Sequence, residues 1–419
     1  MNRRRARLDA LRHQSGASNP DDDDGIVPGR DPAWRRQLQR VGGGRQRRDP
    51  RCARISDETL AARLGGHVVR DGVIRIGERL CAGAAHGEVP LVESTLLRAL
   101  PLCTGGQVNM ARACVFMDTE TTGLAGGTGT LVFLLGMARF SGGALEVSQL
   151  LLTGFQGESA MLNEAREFLQ GADALVTFNG RSFDSPLLAA RYRLSGLADP
   201  FAGLPHVDLL HPTRRAFKHC WPDCRLQTAE RRLLGLQRIG DLPGSEAPRA
   251  WFDWVRHGRD DGLSAVCAHN RLDLLSLAVL PGALQRSYDN PLASGANVLA
   301  CARHAGQSLA HGRGDKAVFK FLYRHRAILD SGARLELARL ARRRGEWKLA
   351  VELWEELADA GESVAVEHLA KYYEHEKRDY ERAAVLTARL LACAPNHRQH
   401  RRRDARLRAR LAGSPCRGI

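Results

Sequence analysis

Asp118 and Glu120 stand at alternate positions directly after the apolar run Cys114 to Met117. In an extended strand that spacing sends both carboxylates off one face, where they can converge on one hard cation. Acids so placed repel each other, and a divalent ion removes the repulsion. Alone the pair says little, because acids at strand ends are common and solvated. Two more segments offer related chemistry. Asp184 lies in VTFNGRSFDSPLL, after an apolar stretch and at the head of a helical pattern, where an aspartate ordinarily caps backbone amides. His269 and Asp273, in VCAHNRLDLLSLA, are four apart and share one helix face, as an ordinary surface pair also would.

The elements around these residues read as an α/β core. Cys114 to Met117 has the look of a buried strand that ends in an acid and a turn. Leu131 to Phe140 and Ala144 to Leu152 are the next strands, joined by Ser141, Gly142 and Gly143 as an antiparallel hairpin. Apolar residues then recur at helical spacing from Glu158 to Leu169, followed by a strand over Ala174 to Phe178. A helix over Ser185 to Leu194 carries Pro186 in its first turn, where a missing amide proton costs little. Strands followed by alternating helices predict a mixed sheet covered by helices. The stretch Gly126 to Thr130 lacks the Gly-Lys-Ser/Thr of a phosphate-binding loop and reads as a turn.

Beyond residue 295 the pattern is helical, with candidates at Arg334 to Arg343, Trp347 to Ala358, Val364 to His375 and Tyr380 to Leu391. Ala338 and Ala350 recur as Ala370 and Ala383, and Trp347 recurs as Tyr380, which makes two helical hairpins at roughly tetratricopeptide spacing. The expected organisation is a disordered basic and acidic leader at 1–55, a small N-terminal extension at 56–110, and the α/β domain at 111–285. An all-α, TPR-like helical region at 295–395 and an arginine-rich tail at 396–419, read as a solvated helix face or disordered end, complete it.

Composition narrows the class. A chain of 419 residues exceeds what one core usually supports, and 43% hydrophobic with 26% charged residues is ordinary for a globular protein. The formal charge of +15 raises the expectation of a polyanionic partner such as nucleic acid. Only six of the 62 basic residues are lysine, so codon composition is as good an account of the arginine excess as phosphate recognition. Ten scattered cysteines without disulfide-framework spacing suggest reduced thiols in the cytoplasm, and beside Cys220, Cys224 and His219 only His206 and His211 stand near, without zinc-like spacing, so unpaired thiols in a loop are the expectation. Arg3, Arg4 and Arg5 are not followed by an apolar stretch, and the longest apolar run, Leu131 to Ala138, is too short to span a bilayer, so neither export nor membrane insertion is expected.

Taken together, FMDTETTGL, NGRSFDSPLL, HVDLLHPTRR, LLGLQRIGDLPGSEAP and HNRLDLLSLA resemble, in their order and spacing, the DEDD (DnaQ-like) exonuclease superfamily, and within it the YprB-like ribonuclease-H-like family. The resemblance covers most of 113–280. It implies a ribonuclease-H-like fold and a nuclease that uses two magnesium or manganese ions, held by Asp118, Glu120, Asp184 and Asp273, with Asp118 as the bridge. By the same resemblance His269 orients or deprotonates the attacking water. It stands four residues before its aspartate, the spacing of tyrosine-type members, whereas histidine-type members have five. Thr121, Thr122, Gly123 and Leu124 would meet the terminal nucleotide, while Asn179 and Phe183 would touch the strand, Phe183 by stacking or else by packing in the core. His206, Asp208 and Arg238 to Pro243 belong to the pattern with structural roles expected. The implied activity is 3′-to-5′ exonuclease action on single-stranded DNA or RNA ends. A structure-specific endonuclease, or a silent nucleic-acid-binding scaffold whose helical region recruits a protein partner, is the alternative.

Overall fold

The computed structural model describes residues 54–93, 113–123, 129–307 and 314–413. The leader as far as residue 53, the link at 94–112, Leu124 with Gly126 to Thr128, and the last residues of the tail lie outside the described residues. The chain forms two compact units, Met1–Ala296 and Asn297–Ile419.

The first unit opens with α1 (Asp57–Arg63), capped where Ser56 accepts from the Thr59 amide. Strands β1 (His67–Arg70) and β2 (Val73–Cys81) follow, then a small hairpin of β3 (Ala85–His86) and β4 (Val89–Pro90). Next come β5 (Cys114–Thr121), β6 (Val132–Ser141), β7 (Ala144–Leu152), α2 (Glu158–Phe168), β8 (Ala174–Thr177), α3 (Asp184–Leu194) and β9 (His206–Asp208). Helices α4 (Leu210–Phe217), α5 (Leu226–Ala229), α6 (Ala247–His257) and α7 (Leu263–Asp289) follow, with one more helical turn at Pro291–Ser294. Seven strands make one mixed sheet in the order β1-β2-β7-β6-β5-β8-β9, with β8 and β9 parallel to β5 and the remaining neighbours antiparallel. This is the mixed sheet with flanking helices that the ribonuclease-H-like reading requires.

Local chemistry explains most of the frame. Gly142 and Gly143 both take left-handed φ angles, 55° and 75°, which glycine adopts freely and which a two-residue hairpin turn demands. Seven consecutive residues of β6 are buried, so that strand lies covered on both faces at the sheet's centre. The segment set apart in the sequence as an extension from residue 56 supplies β1 and β2, and β2 pairs with β7 along its whole length from Val73↔Leu152 to Cys81↔Ala144. Helix α6 is pinned across the end of β7: Trp251 donates to the Leu152 carbonyl at 2.7 Å and Trp254 to that of Thr153 at 3.1 Å, while the Trp251 ring stacks on Phe133 at 5.3 Å.

Helix α7 is 27 residues long, packs on β5 and β6, and runs through Pro281. By length and composition it is a helix that could cross a bilayer, a longer apolar segment than the run Leu131 to Ala138 noted in the sequence, and 67% of its most apolar window is buried inside the fold.

The second unit is helical: α8 (Val298–Gln307), α9 (Gly314–Arg324), α10 (Ser331–Arg343), α11 (Trp347–Asp359), α12 (Ser363–Tyr372), α13 (Tyr380–Cys393) and α14 (Arg398–Ala412), each packed on the next. Ala338, Ala350, Ala370 and Ala383, the small residues that recur in the sequence, are all fully buried. A wide π turn at Tyr373–Lys377 follows α12 and carries Glu374, which accepts from Arg403 Nε at 3.2 Å and Arg406 Nε at 2.7 Å on α14. The arginine-rich tail therefore includes a docked helix with Arg403 and Leu407 buried, neither wholly solvated nor disordered over its described length.

Candidate active site

Three separate pieces of chain bring Asp118, Glu120, Asp184 and Asp273 within electrostatic reach of one another. Asp118 and Glu120 sit opposite Gly136 and Leu134 on the central pair β5 and β6, with a bulge just beyond Glu120. Asp184 is the first residue of α3, and Asp273 lies on α7 where that helix crosses β5. Burial and the neighbouring charges of Asp273, Asp184 and Glu120 push the Asp118 carboxyl well above the usual range. For the same reasons, with Asp273, Asp184 and Asp241 as neighbours, Glu120 rises to about 8. Burial raises Asp184 to about 6 against the opposing hydrogen bond from Thr119, and it raises Asp273 against the opposing pull of Arg238.

Each of three acids has one oxygen tethered by a neighbour, of which the sequence reading singled out only Arg238, and that for a structural role. Asn270 Nδ2 donates to Asp118 Oδ2 at 2.8 Å and to the Asp118 carbonyl at 3.3 Å, while its Oδ1 accepts from Gln149 Nε2 at 2.8 Å. This fit requires Gly136, since a Cβ there would stand 2.1 Å from Asn270 Oδ1. Thr119, between the two strand acids, donates to Asp184, the first residue of α3, and so ties that carboxylate to β5. Arg238 donates to Asp273 Oδ1.

Arg238 is the hub of a second, buried layer. Its Nε and Nη2 meet Glu230 at 2.7 and 2.5 Å, and Nη1 meets Asp241 at 2.9 Å. Burial would lower the guanidinium's pKa, but the hydrogen bond to Glu230 and the carboxylate of Asp273 more than offset this and raise it. His269 Nδ1 lies 2.8 Å from both oxygens of Asp241, and its Nε2 lies 3.8 Å from Asp273 Oδ2. Glu230 begins a π turn, Glu230–Leu234, that follows α5, a distortion often found beside functional groups. It accepts from Ser276 Oγ at 2.5 Å, and Ser276 meets His86 Nε2 at 2.8 Å on the β3-β4 hairpin.

The residues expected to touch a nucleic-acid strand divide by behaviour. Thr122 accepts from the Leu131 amide at 3.0 Å and closes the loop after β5, while Thr121 donates to the Gly123 carbonyl at 3.1 Å. A side chain at Gly123 would meet open space. Asn179 has a left-handed φ of 68° and its amide donates to Asp208 at 2.7 Å; the same carboxylate takes the amides of Arg181 and Leu210 at 3.2 and 3.0 Å. Asp208 thus shapes the loop leading to Asp184. Phe183 is 37% exposed.

The donor chemistry of the acid cluster fits a hard divalent cation: carboxylate oxygens only, mostly buried and mutually repelling. Among the described residues no three ligating side chains are already arranged around a common point for an ion. The tethers from Asn270, Thr119 and Arg238 leave one oxygen of Asp118, of Asp184 and of Asp273 for that purpose, and Glu120 completes the set.

A family model described as the RNase_H superfamily matches residues 115–285. The uncharacterized protein YprB of Bacillus subtilis (strain 168) is 35% identical over 291 residues, covering 67% of this chain and 69% of its own length. Among solved structures, the family B DNA polymerase of the hyperthermophilic archaeon Pyrobaculum calidifontis is 14% identical with a TM-score of 0.32 over 65% of this chain; the chain spans only 34% of that polymerase.

Proposed function

The chain belongs to the YprB-like, ribonuclease-H-like family, and on that premise we propose that it is a divalent-metal-dependent nuclease of the DEDD type that removes nucleotides from the 3′ ends of single-stranded nucleic acid. The observation that carries the reading is the meeting of Asp118, Glu120, Asp184 and Asp273, four half-buried or buried carboxylates from three chain segments that raise one another's pKa. Such crowding costs stability without a cation and acquires a purpose with one.

In this reading Asp118, Glu120, Asp184 and Asp273 hold two magnesium or manganese ions, which would offset charge on the attacked phosphodiester and the leaving oxygen. Asn270 and Gln149 fix the rotamer of Asp118, and Thr119 and Arg238 do the same for Asp184 and Asp273. His269, at the rim of the cluster, accepts the proton of the attacking water. Thr121, Thr122 and Gly123 form the wall nearest the terminal nucleotide, where among the described residues open space beside Gly123 permits close approach, and the exposed ring of Phe183 offers a stacking face. Nucleic acid is the proposed partner, the cytoplasm the proposed compartment, and the helical second unit the proposed place for a protein partner.

The test is degradation of end-labelled single-stranded and duplex DNA and RNA by the full chain with Mg²⁺ or Mn²⁺, beside Asp118→Asn. Stepwise loss from the 3′ end that the variant lacks supports the proposal. Internal cuts would move the reading to an endonuclease, and bound but intact strands to a scaffold.

A further inference from the structure

The loop that carries Arg238 and Asp241 reaches His269 and Asp273 of α7 at once. Asp241 presents both oxygens to His269 Nδ1, each at 2.8 Å, closer than Arg238 Nη1, which stands 3.4 Å from the same nitrogen. An ionised carboxylate can only accept, so the proton of a neutral imidazole belongs on Nδ1 and the lone pair on Nε2. That Nε2 faces the acid cluster, 3.8 Å from Asp273 Oδ2, with the backbone of Gly244 alongside, where a side-chain carbon would come into van der Waals contact with it at 3.8 Å. Asp241 is itself held by Arg238 Nη1 at 2.9 Å. The guanidinium cannot swing away cheaply, because its remaining donors serve fully buried Glu230, which Ser276 and His86 brace from behind.

We infer that Asp241 is a positioning residue that fixes His269 as the Nδ1–H tautomer with Nε2 as the proton acceptor facing the acid cluster, and that Arg238 clamps this pair in register with Asp273. The proton transfer at Nε2 rests on the nuclease reading above; the tautomer does not. This gives Arg238 and Asp241, expected from sequence to be structural, a part in the chemistry. It also accounts for a histidine four residues from its aspartate: the loop, not helix spacing alone, sets the ring's direction.

Two measurements on the full chain test it. Nitrogen-15 resonance of the chain with labelled histidine, with His269 assigned by difference from His269→Gln, should show Nδ1 protonated and Nε2 bare in the neutral form of the ring. A protonated Nε2 overturns the proposal, and this arm needs no variant at Asp241. Asp241→Asn can turn its NH₂ toward Nδ1 and force the proton onto Nε2, so turnover should fall at least about 100-fold while KM and Mn²⁺ affinity by paramagnetic resonance stay within about threefold. Loss of Mn²⁺ binding would make Asp241 a ligand instead, and unchanged turnover would make it a bystander; either result overturns the assignment. A wild-type chain that cuts no substrate yet keeps Nε2 bare sinks the nuclease reading and supports the tautomer.

Discussion

Gly136→Ala is the smallest change that should dismantle the acid cluster's support. A Cβ built there falls 2.1 Å from Asn270 Oδ1 and 2.8 Å from both Cγ and Nδ2. Ordinary van der Waals contact begins near 3.4 Å, so the overlap exceeds an ångström. Asn270 is fully buried on α7 and cannot retreat without moving the helix or changing rotamer. Rotation breaks its bonds to Gln149 and Asp118 and strands two or three buried polar groups at about 1–3 kcal/mol each. We expect a loss of about 2–4 kcal/mol, seen as a fall of very roughly 5–15 °C in the melting temperature of the first unit. Asp118 also loses its donor, so Mn²⁺ affinity and any nuclease turnover should drop with it. The decisive comparison is a double-mutant cycle read by calorimetry: in an Asn270→Ala background the added methyl meets little, and Gly136→Ala should cost less than about 0.5 kcal/mol. An equal cost in both backgrounds would refute the reasoning.

The raised carboxyl values set the pH response of the metal-free protein. Unfolded carboxyls titrate near pH 4, about 4.3 for glutamate, whereas Glu120 titrates near 8 in the fold, so between those values the folded state keeps protons that the unfolded state has released. This contribution is therefore complete below the unfolded pKa and disappears as pH rises toward 8; the melting temperature relative to Glu120→Gln should decline over that window, and a flat difference would contradict it. Added Mn²⁺ should raise the melting temperature more at the alkaline end than at pH 5, measurable by differential scanning fluorimetry, because ligands must be deprotonated. Asp118→Asn should abolish the Mn²⁺-induced shift while leaving the metal-free protein at least as stable as wild type, since a carboxyl that burial and neighbouring acids hold back from ionising is replaced by a neutral amide of the same shape; a retained shift would remove Asp118 from the proposed ligand set. In the second unit, Glu374→Ala leaves buried Arg403 without its carboxylate, at about 3–5 kcal/mol, and limited proteolysis should then cut within α14, which wild type resists.

Much of the frame was readable because it is written locally. The hairpin of β6 and β7 follows from two glycines between apolar runs, and the helix at Asp184 from its Pro186, each placed to within about two residues of the observed bounds. The strand acids stood out because alternation on an apolar strand is itself a geometric statement. The support of those acids was not readable, because Asn270, Gln149 and Gly136 meet only after β6, β7 and α7 have packed. Arg238 and Asp241 left a fainter trace: two opposite charges in a Gly- and Pro-punctuated loop that belongs to the family pattern, which marks a loop held for a reason. Nothing local announced that β2 joins the sheet, since its partner β7 lies some seventy positions later, nor that Arg403 would find Glu374 on a π turn.

The pairing of β2 with β7 has a consequence for where this chain can be divided. The family match starts at residue 115, which invites expression of a shorter protein beginning at β5. Such a fragment would lack β2 and bare the full nine-residue flank of β7, a row of unpaired amides and carbonyls beside an apolar strand. Bare flanks of that kind recruit other chains into continuous sheets. The first strands are in that sense a built-in chaperone for the nuclease fold, occupying the position that a neighbouring molecule would otherwise take.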